Sequence, residues 1–181
     1  MVYAKASQAM KHTNFEFKAR LRDEVLIRAT LKRLRARYVG TDHQVDTYFR
    51  VPRGRLKVRE GRIENALIYY ERPDSPRARR ARIEMVLLPR RNSVKAILVR
   101  ALAVLVIVDK RREIYLVGNV KIHLDRVRGL GKFVEVEAIS RSGGLAKIQR
   151  QARKFQKLFG IAPSDLIGQS YSDLVQRGLN H

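Results

Sequence analysis

Val104 to Glu137 reads V-L-V-I-V-D-K-R-R-E-I-Y-L-V-G-N-V-K-I-H-L-D-R-V-R-G-L-G-K-F-V-E-V-E, and the fold turns on how this stretch is read. It reads as three strands joined by short turns. Successive side chains of a strand point to opposite faces. Val104, Val106, Val108, Lys110 and Arg112 therefore share one face, and Lys121, His123 and Asp125 share another. Phe133, Glu135 and Glu137 share a third, with Val134, Val136 and Ala138 opposite. Each strand has an apolar face and a face carrying charge. A sheet that packs its apolar face outward against helices must place those charges in its interior. A closed sheet lined with both signs of charge suits an anionic ligand held through a metal.

The chain on either side follows the same alternation. Asn14 to Arg20 places Asn14, Glu16, Lys18 and Arg20 on one face and Phe15, Phe17 and Ala19 on the other. Further strands are expected over 44–51, 55–60, 66–72 and 80–88. In the 55–60 segment, Arg55, Lys57 and Arg59 fall on one side and repel one another unless an anion bridges them. Asp23 suits the N-cap of a helix running to about Ala36, with Leu26, Ala29, Thr30 and Leu34 at helical spacing. Lys32, Arg33, Arg35 and Arg37 read as its solvated face. Asn92 or Ser93 opens a short helix in which Ile97, Leu98, Ala101 and Leu102 share a face. Leu145, Ile148, Ala152, Phe155 and Phe159 give a late helix ended by Gly160, and residues 165–178 form a closing segment. The Arg-rich run from Arg72 (R-P-D-S-P-R-A-R-R) reads either as a flap over a phosphate site or as an exposed loop without a role. About eight strands with a helix early, in the middle and late make an α+β protein. Residues 1–13 read as a flexible tail and 14–181 as one domain, with no internal repeat.

The composition narrows the partners. The chain has 181 residues, 39 Lys+Arg against 17 Asp+Glu and a formal net charge of +22. Such a field attracts polyanions: nucleic acid, anionic membrane or phosphate-rich small molecules. With no Cys, disulfides, thiolate chemistry and sulfur-bound zinc are excluded. No apolar run is long enough to span a membrane, and the N-terminus lacks the apolar middle of a secretory signal, so a cytoplasmic protein is expected.

The residues also carry a resemblance. N-F-E-F-K (14–18), D-T-Y-F (46–49), L-K-V-R-E (56–60), Y-E-R-P (70–73), K-R-R-E-I-Y (110–115), the run from His123 to Glu137 and S-Y-S-D-L (170–174) occur in the order of the CYTH family's motifs. That family includes class IV adenylyl cyclases, thiamine triphosphatases and inorganic triphosphatases. The resemblance implies an eight-stranded antiparallel β-barrel, the triphosphate tunnel, with about three helices packed outside. It implies Glu16, Asp125, Glu135 and Glu137 as ligands of a divalent cation, Mg or Mn. It implies Lys18, Lys57, Arg59, Arg72, Lys110 and Arg112 as triphosphate binders, with Lys18, Glu135 and Glu137 catalytic. Two positions depart from the family pattern. Asn14 stands where the signature has its first Glu, and Glu71 stands where many members carry a basic residue, with Arg72 adjacent.

The expected activity is metal-dependent cleavage of a triphosphate (ATP, thiamine triphosphate or tripolyphosphate). Either a cyclase would release cyclic AMP and pyrophosphate, or a triphosphatase would release phosphate. The alternative is a non-catalytic module binding nucleotide, polyphosphate or nucleic acid, drawn from the +22 charge and from Asn14. Nucleic acid is the less favoured partner, and a membrane is not expected. His123, on the inward parity, reads more readily as a hydrogen-bonded structural histidine than as a proton-transfer group.

Overall fold

A computed structural model of the chain describes residues 9–73, 75, 78–142 and 144–179. Eight strands close into one antiparallel barrel in the order β1-β5-β4-β3-β2-β6-β7-β8. They are β1 (Met10–Arg20), β2 (Arg37–Phe49), β3 (Arg55–Glu60), β4 (Ala66–Glu71), β5 (Arg79–Leu87), β6 (Val104–Val117), β7 (Val120–Val127) and β8 (Gly131–Ser140). Closure comes from β1, which pairs with β5 on one side and β8 on the other. The helices are α1 (Glu24–Arg33), α2 (Val94–Ala101), α3 (Leu145–Leu158) and α4 (Tyr171–Leu179). The expected barrel is therefore present, with a fourth helix formed by the closing segment.

Two cores follow from the alternation. The outward residues of β1, β7 and β8, among them Phe17, Ile122, Leu124, Val134 and Val136, pack against Ile27 and Leu31 of α1 and Ile148, Ala152 and Phe155 of α3. Burying these side chains stabilises the wall by roughly 1.5–3 kcal/mol for each large one. The second core lies inside one end of the barrel. There Tyr171 joins Tyr48, Tyr70, Val106, Val108, Val127 and Phe133, while Leu174 and Val175 of α4 pack against them. The helix α4 thus plugs that end of the bore.

Several expectations shift. The first strand begins at Met10, four residues before Asn14, so residues 10–13 of the expected tail are strand; residues 1–8 lie outside the described residues. Strand β2 begins at Arg37, not Gln44, because its extra length pairs with the long β6. The pairing shifts register between Tyr38 and Gly40, where Gly40 takes φ 147° and a Cβ would sit 2.7 Å from Ile63 Cδ1. Asp23 does cap α1, its Oδ1 accepting from Leu26 N at 2.8 Å, but the buried stripe is Ile27, Thr30 and Leu31. Leu26 and Ala29 are exposed. In α2 the expected face stays open, with Ile97 60% exposed, because only part of that short helix lies against the barrel. In α3 the stripe Ile148, Ala152, Phe155 and Phe159 is buried as expected, while Leu145 at the first turn is exposed. Of the Arg-rich loop, Asp74, Pro76 and Arg77 lie outside the described residues. No helix among the described residues is long and apolar enough to cross a membrane.

Candidate active site

The inward residues of the strands surround a cavity of about 360 Å³. Its lining carries eight Lys or Arg side chains and five carboxylates. The bore is therefore net cationic, with both signs within reach of one ligand.

The densest contacts gather on Asp46, which is 1% exposed. Arg59 embraces it in a fork, Nε donating to Oδ1 at 2.8 Å and Nη2 to Oδ2 at 3.0 Å. Lys57 Nζ donates to Oδ2 at 2.8 Å and Lys110 Nζ to the same oxygen at 2.6 Å. Burial works to raise the Asp46 carboxyl, but Arg59, Lys110 and Lys57 hold it well below the usual carboxylate range. Three cations expected to bind phosphate thus share one internal anion. The sequence placed Asp46 in the D-T-Y-F motif without giving it a role. Its parity with Tyr48 was the available signal, and the cations that meet it come from two other strands.

Burial pulls the Lys110 ammonium down to about 7, against the attraction of Asp46. A triphosphate would favour its charged form, so binding should take up a proton near and above neutrality. Metal-free affinity for tripolyphosphate should fall about fivefold between pH 7 and pH 8 through this group alone, by linkage at one pKa unit per 1.36 kcal/mol. The loss should be absent in Lys110→Arg, whose guanidinium does not titrate there. Calorimetric titration at several pH values, comparing the two proteins, measures it; equal slopes would remove the assignment.

A second group lies on β1, β7 and β8. Cross-strand register sets Glu16 opposite Glu137, Lys18 opposite Glu135, and His123 opposite Glu135. Lys18 Nζ lies 3.4 Å from Glu135 Oε1 and 3.7 Å from the centre of the Tyr171 ring. Burial lowers Lys18 to about 8. Burial also works to raise Glu135, but Lys18 and further neighbours hold it well below the usual carboxylate range. Glu137 accepts from Asn14 Nδ2 at 3.3 Å, so the departure at Asn14 puts a neutral amide beside a carboxylate. Glu16 is taken by Arg72, whose Nη1 donates to Oε1 at 2.6 Å, with Arg79 Nε at 3.9 Å. Arg72, not Glu71, is the inward residue of that segment; Glu71 is exposed and accepts from Tyr69 OH. The departure at Glu71 therefore lies outside the bore, because the strand alternation puts its neighbour inside.

Asp125 has both oxygens engaged: Arg112 Nε and Nη2 donate at 2.7 and 2.6 Å, and Tyr171 OH donates at 2.7 Å. Arg112 Nη2 also reaches Glu135 Oε2 at 2.7 Å. Of the four expected metal ligands, the structure brings Glu135 and Glu137 together with His123, and sets Glu16 and Asp125 against arginines. Among the described residues, His123, Glu135 and Glu137 form the one group of three His, Asp or Glu side chains able to share an ion, with donor atoms within 4.8 Å. The sequence reading also passed over Glu64. Asp42 accepts from the backbone N–H groups of Arg62, Ile63 and Glu64 and so fixes the β3–β4 turn. Gly61 is required there, since a Cβ would lie 2.5 Å from Asp42 Oδ2. That turn delivers Glu64 to Arg59 at 2.8 Å and Lys121 at 2.6 Å.

A closed barrel with cations clustered on internal carboxylates is now a testable likeness. The family model of the CYTH domain matches residues 12–171. The chain belongs to the CYTH family. CYTH proteins act on triphosphates and depend on a divalent metal. Two solved CYTH-like structures share the fold. A protein of Pyrococcus horikoshii is 24% identical with a TM-score of 0.74, covering 89% of this chain and 98% of its own. A candidate adenylate cyclase of Vibrio parahaemolyticus is 20% identical with a TM-score of 0.73, covering 90% and 97%. A comparison with curated proteins gives no match.

Proposed function

We propose that the chain is a metal-dependent enzyme that binds an organic triphosphate in the barrel and cleaves it. The observation that carries the reading is the convergence of Lys57, Arg59 and Lys110 on one buried carboxylate, Asp46, beside a separate carboxylate group on β8. A triphosphate offers the same cations more oxygens and more charge than Asp46 does, and Arg59 can hold it bidentately. Lys18, Arg72 and Arg112 stand around the same bore and would take up the remaining phosphate charge. Their carboxylate partners hold them in place beforehand, which limits reorganisation when the ligand arrives.

The residues present fit a divalent ion. Glu135 and Glu137 supply hard oxygen donors, and the buried His123 ring has no hydrogen-bond partner at either nitrogen. Glu16 and Asp125 would join only after leaving their arginines. When bound, such an ion neutralises phosphate charge and lowers the pKa of a bound hydroxyl or water.

The organic part of the substrate is supported by the opposite wall. Ala66 and Ile68 of β4, Ile83, Met85 and Leu87 of β5, and Met10 of β1 line the cavity with apolar surface. Met10, Ile63 and Leu87 at the rim are 37%, 42% and 52% exposed. Bare tripolyphosphate has nothing to gain from that wall, whereas a base or a heterocycle does.

A product assay tests the reading with ATP, thiamine triphosphate and tripolyphosphate, each with Mg and with Mn. One organic triphosphate should be cleaved with a kcat/KM at least about tenfold above that for tripolyphosphate, the size of roughly 1.4 kcal/mol of apolar contact. Cyclic AMP with pyrophosphate identifies a cyclase, and orthophosphate identifies a triphosphatase. Binding without product in every mixture would replace the enzyme by the non-catalytic module, a reading Asn14 favours by leaving β1 one carboxylate short.

A further inference from the structure

We infer that His123 is a metal ligand, completing with Glu135 and Glu137 a site of one imidazole and two carboxylates that takes Mn2+ in preference to Mg2+.

His123 lies on β7 and is 1% exposed. Neither ring nitrogen has a hydrogen-bond partner. Leaving a buried polar group unpaired costs about 1–3 kcal/mol, so such a group calls for an explanation. Nδ1 lies 3.6 Å from Glu135 Oε2 and 3.8 Å from Glu137 Oε1. Those separations are too long for hydrogen bonds. They lie within the span that one ion can bridge, since donors about 2.0–2.2 Å from a metal stand roughly 3 Å apart at right angles and roughly 4 Å apart when opposed.

The neighbours point the same way. Glu137 faces Glu16 directly across the β1–β8 pair. Like charges so placed destabilise a sheet unless a cation intervenes. Arg72 answers Glu16, whereas Glu137 accepts a hydrogen bond from the Asn14 amide, a neutral group. Glu135 is held by Arg112 and Lys18, which fix its orientation beside the imidazole. Where the resemblance implies a carboxylate on β1, this chain places the Asn14 amide, and the imidazole of His123 on β7 stands beside the two β8 carboxylates.

Donor chemistry sets the ion. Mg2+ demands oxygen donors in a strict octahedron and gives up water reluctantly. Mn2+ shares its preference for carboxylate oxygen, but as a first-row transition ion it also admits one imidazole nitrogen among those oxygens. The inference concerns ion binding alone and needs neither substrate nor turnover, so its failure would leave the triphosphate reading standing.

The test uses the full chain without substrate. Calorimetric titration should show Mn2+ binding at least about tenfold tighter than Mg2+, the order expected when one ligand suits one ion only. Electron spin echo of the bound Mn2+ should show modulation from a directly coordinated nitrogen in the wild-type protein. In His123→Gln that modulation should vanish and Mn2+ affinity should fall about tenfold or more, while Mg2+ affinity changes less than about threefold. Bound Mn2+ without nitrogen modulation, equal Mn2+ and Mg2+ affinities, or no Mn2+ binding would each overturn the assignment. The spin-echo arm uses the wild-type chain, so it decides even if His123→Gln fails to fold.

Discussion

Glu137→Gln should abolish metal-dependent turnover, with a loss on the order of 10³-fold or more in kcat, while the protein stays folded. The substitution keeps the shape of the side chain and removes one charge. Glu137 is the right carboxylate to change. Its side chain is 19% exposed toward the bore, and its hydrogen bond comes from Asn14 at 3.3 Å, which an amide oxygen also accepts. Glu135→Gln should lose turnover as well, but it also strips a buried partner from Arg112 and Lys18, so a fall in stability would accompany it. Steady-state kinetics with saturating metal, alongside a thermal melt, separates the two effects. Unchanged kcat in folded Glu137→Gln protein would remove its proposed role.

Asp46→Ala should destabilise the barrel more than any other single change in the bore. It leaves Lys57, Arg59 and Lys110 facing one another around an empty position, when all three are about nine-tenths buried or more. Removing one partner of a buried ion pair costs about 3–5 kcal/mol. For a domain of this size that lowers Tm by on the order of 10 °C. Lys110, already down to about 7 with Asp46 present, should lose its proton and relieve part of the repulsion. The same variant should be rescued by anions. Tripolyphosphate at about a hundred times its Kd restores about 2.7 kcal/mol through binding the folded state alone. Melting curves of Asp46→Ala with and without tripolyphosphate measure both effects. A Tm within about 2 °C of wild type would show that the three cations do not depend on this carboxylate.

The motif residues of β1, β3, β6, β7 and β8 were legible because alternation is a local property of each strand. Glu16, Lys18, Lys57, Arg59, Lys110, Arg112, Glu135 and Glu137 all line the bore. Asp125 is also inward, but it is closed off by Arg112 and Tyr171. Glu71 and Arg72 show how matching a family pattern position by position misplaces a side chain by one residue where alternation along the strand does not. In α1 and α2 helical spacing located the elements but not the buried stripe, because which face is covered depends on where the barrel wall passes. His123 was visible as an inward residue, yet nothing local distinguished a bonded structural ring from one lacking partners.

By itself the sequence determined an antiparallel α+β protein whose strands each set charge on one side and apolar residues on the other. Those properties need only the period of two and the length of each run. The tertiary structure alone decided which charges meet. Asp46 joins Lys110 because β2 lies beside β6, and Arg72 reaches Glu16 because closure brings β1 next to β5. Ion pairing across a bore depends on strand order and on the register at closure. Both are set by contacts between segments far apart in the chain, which no local pattern encodes.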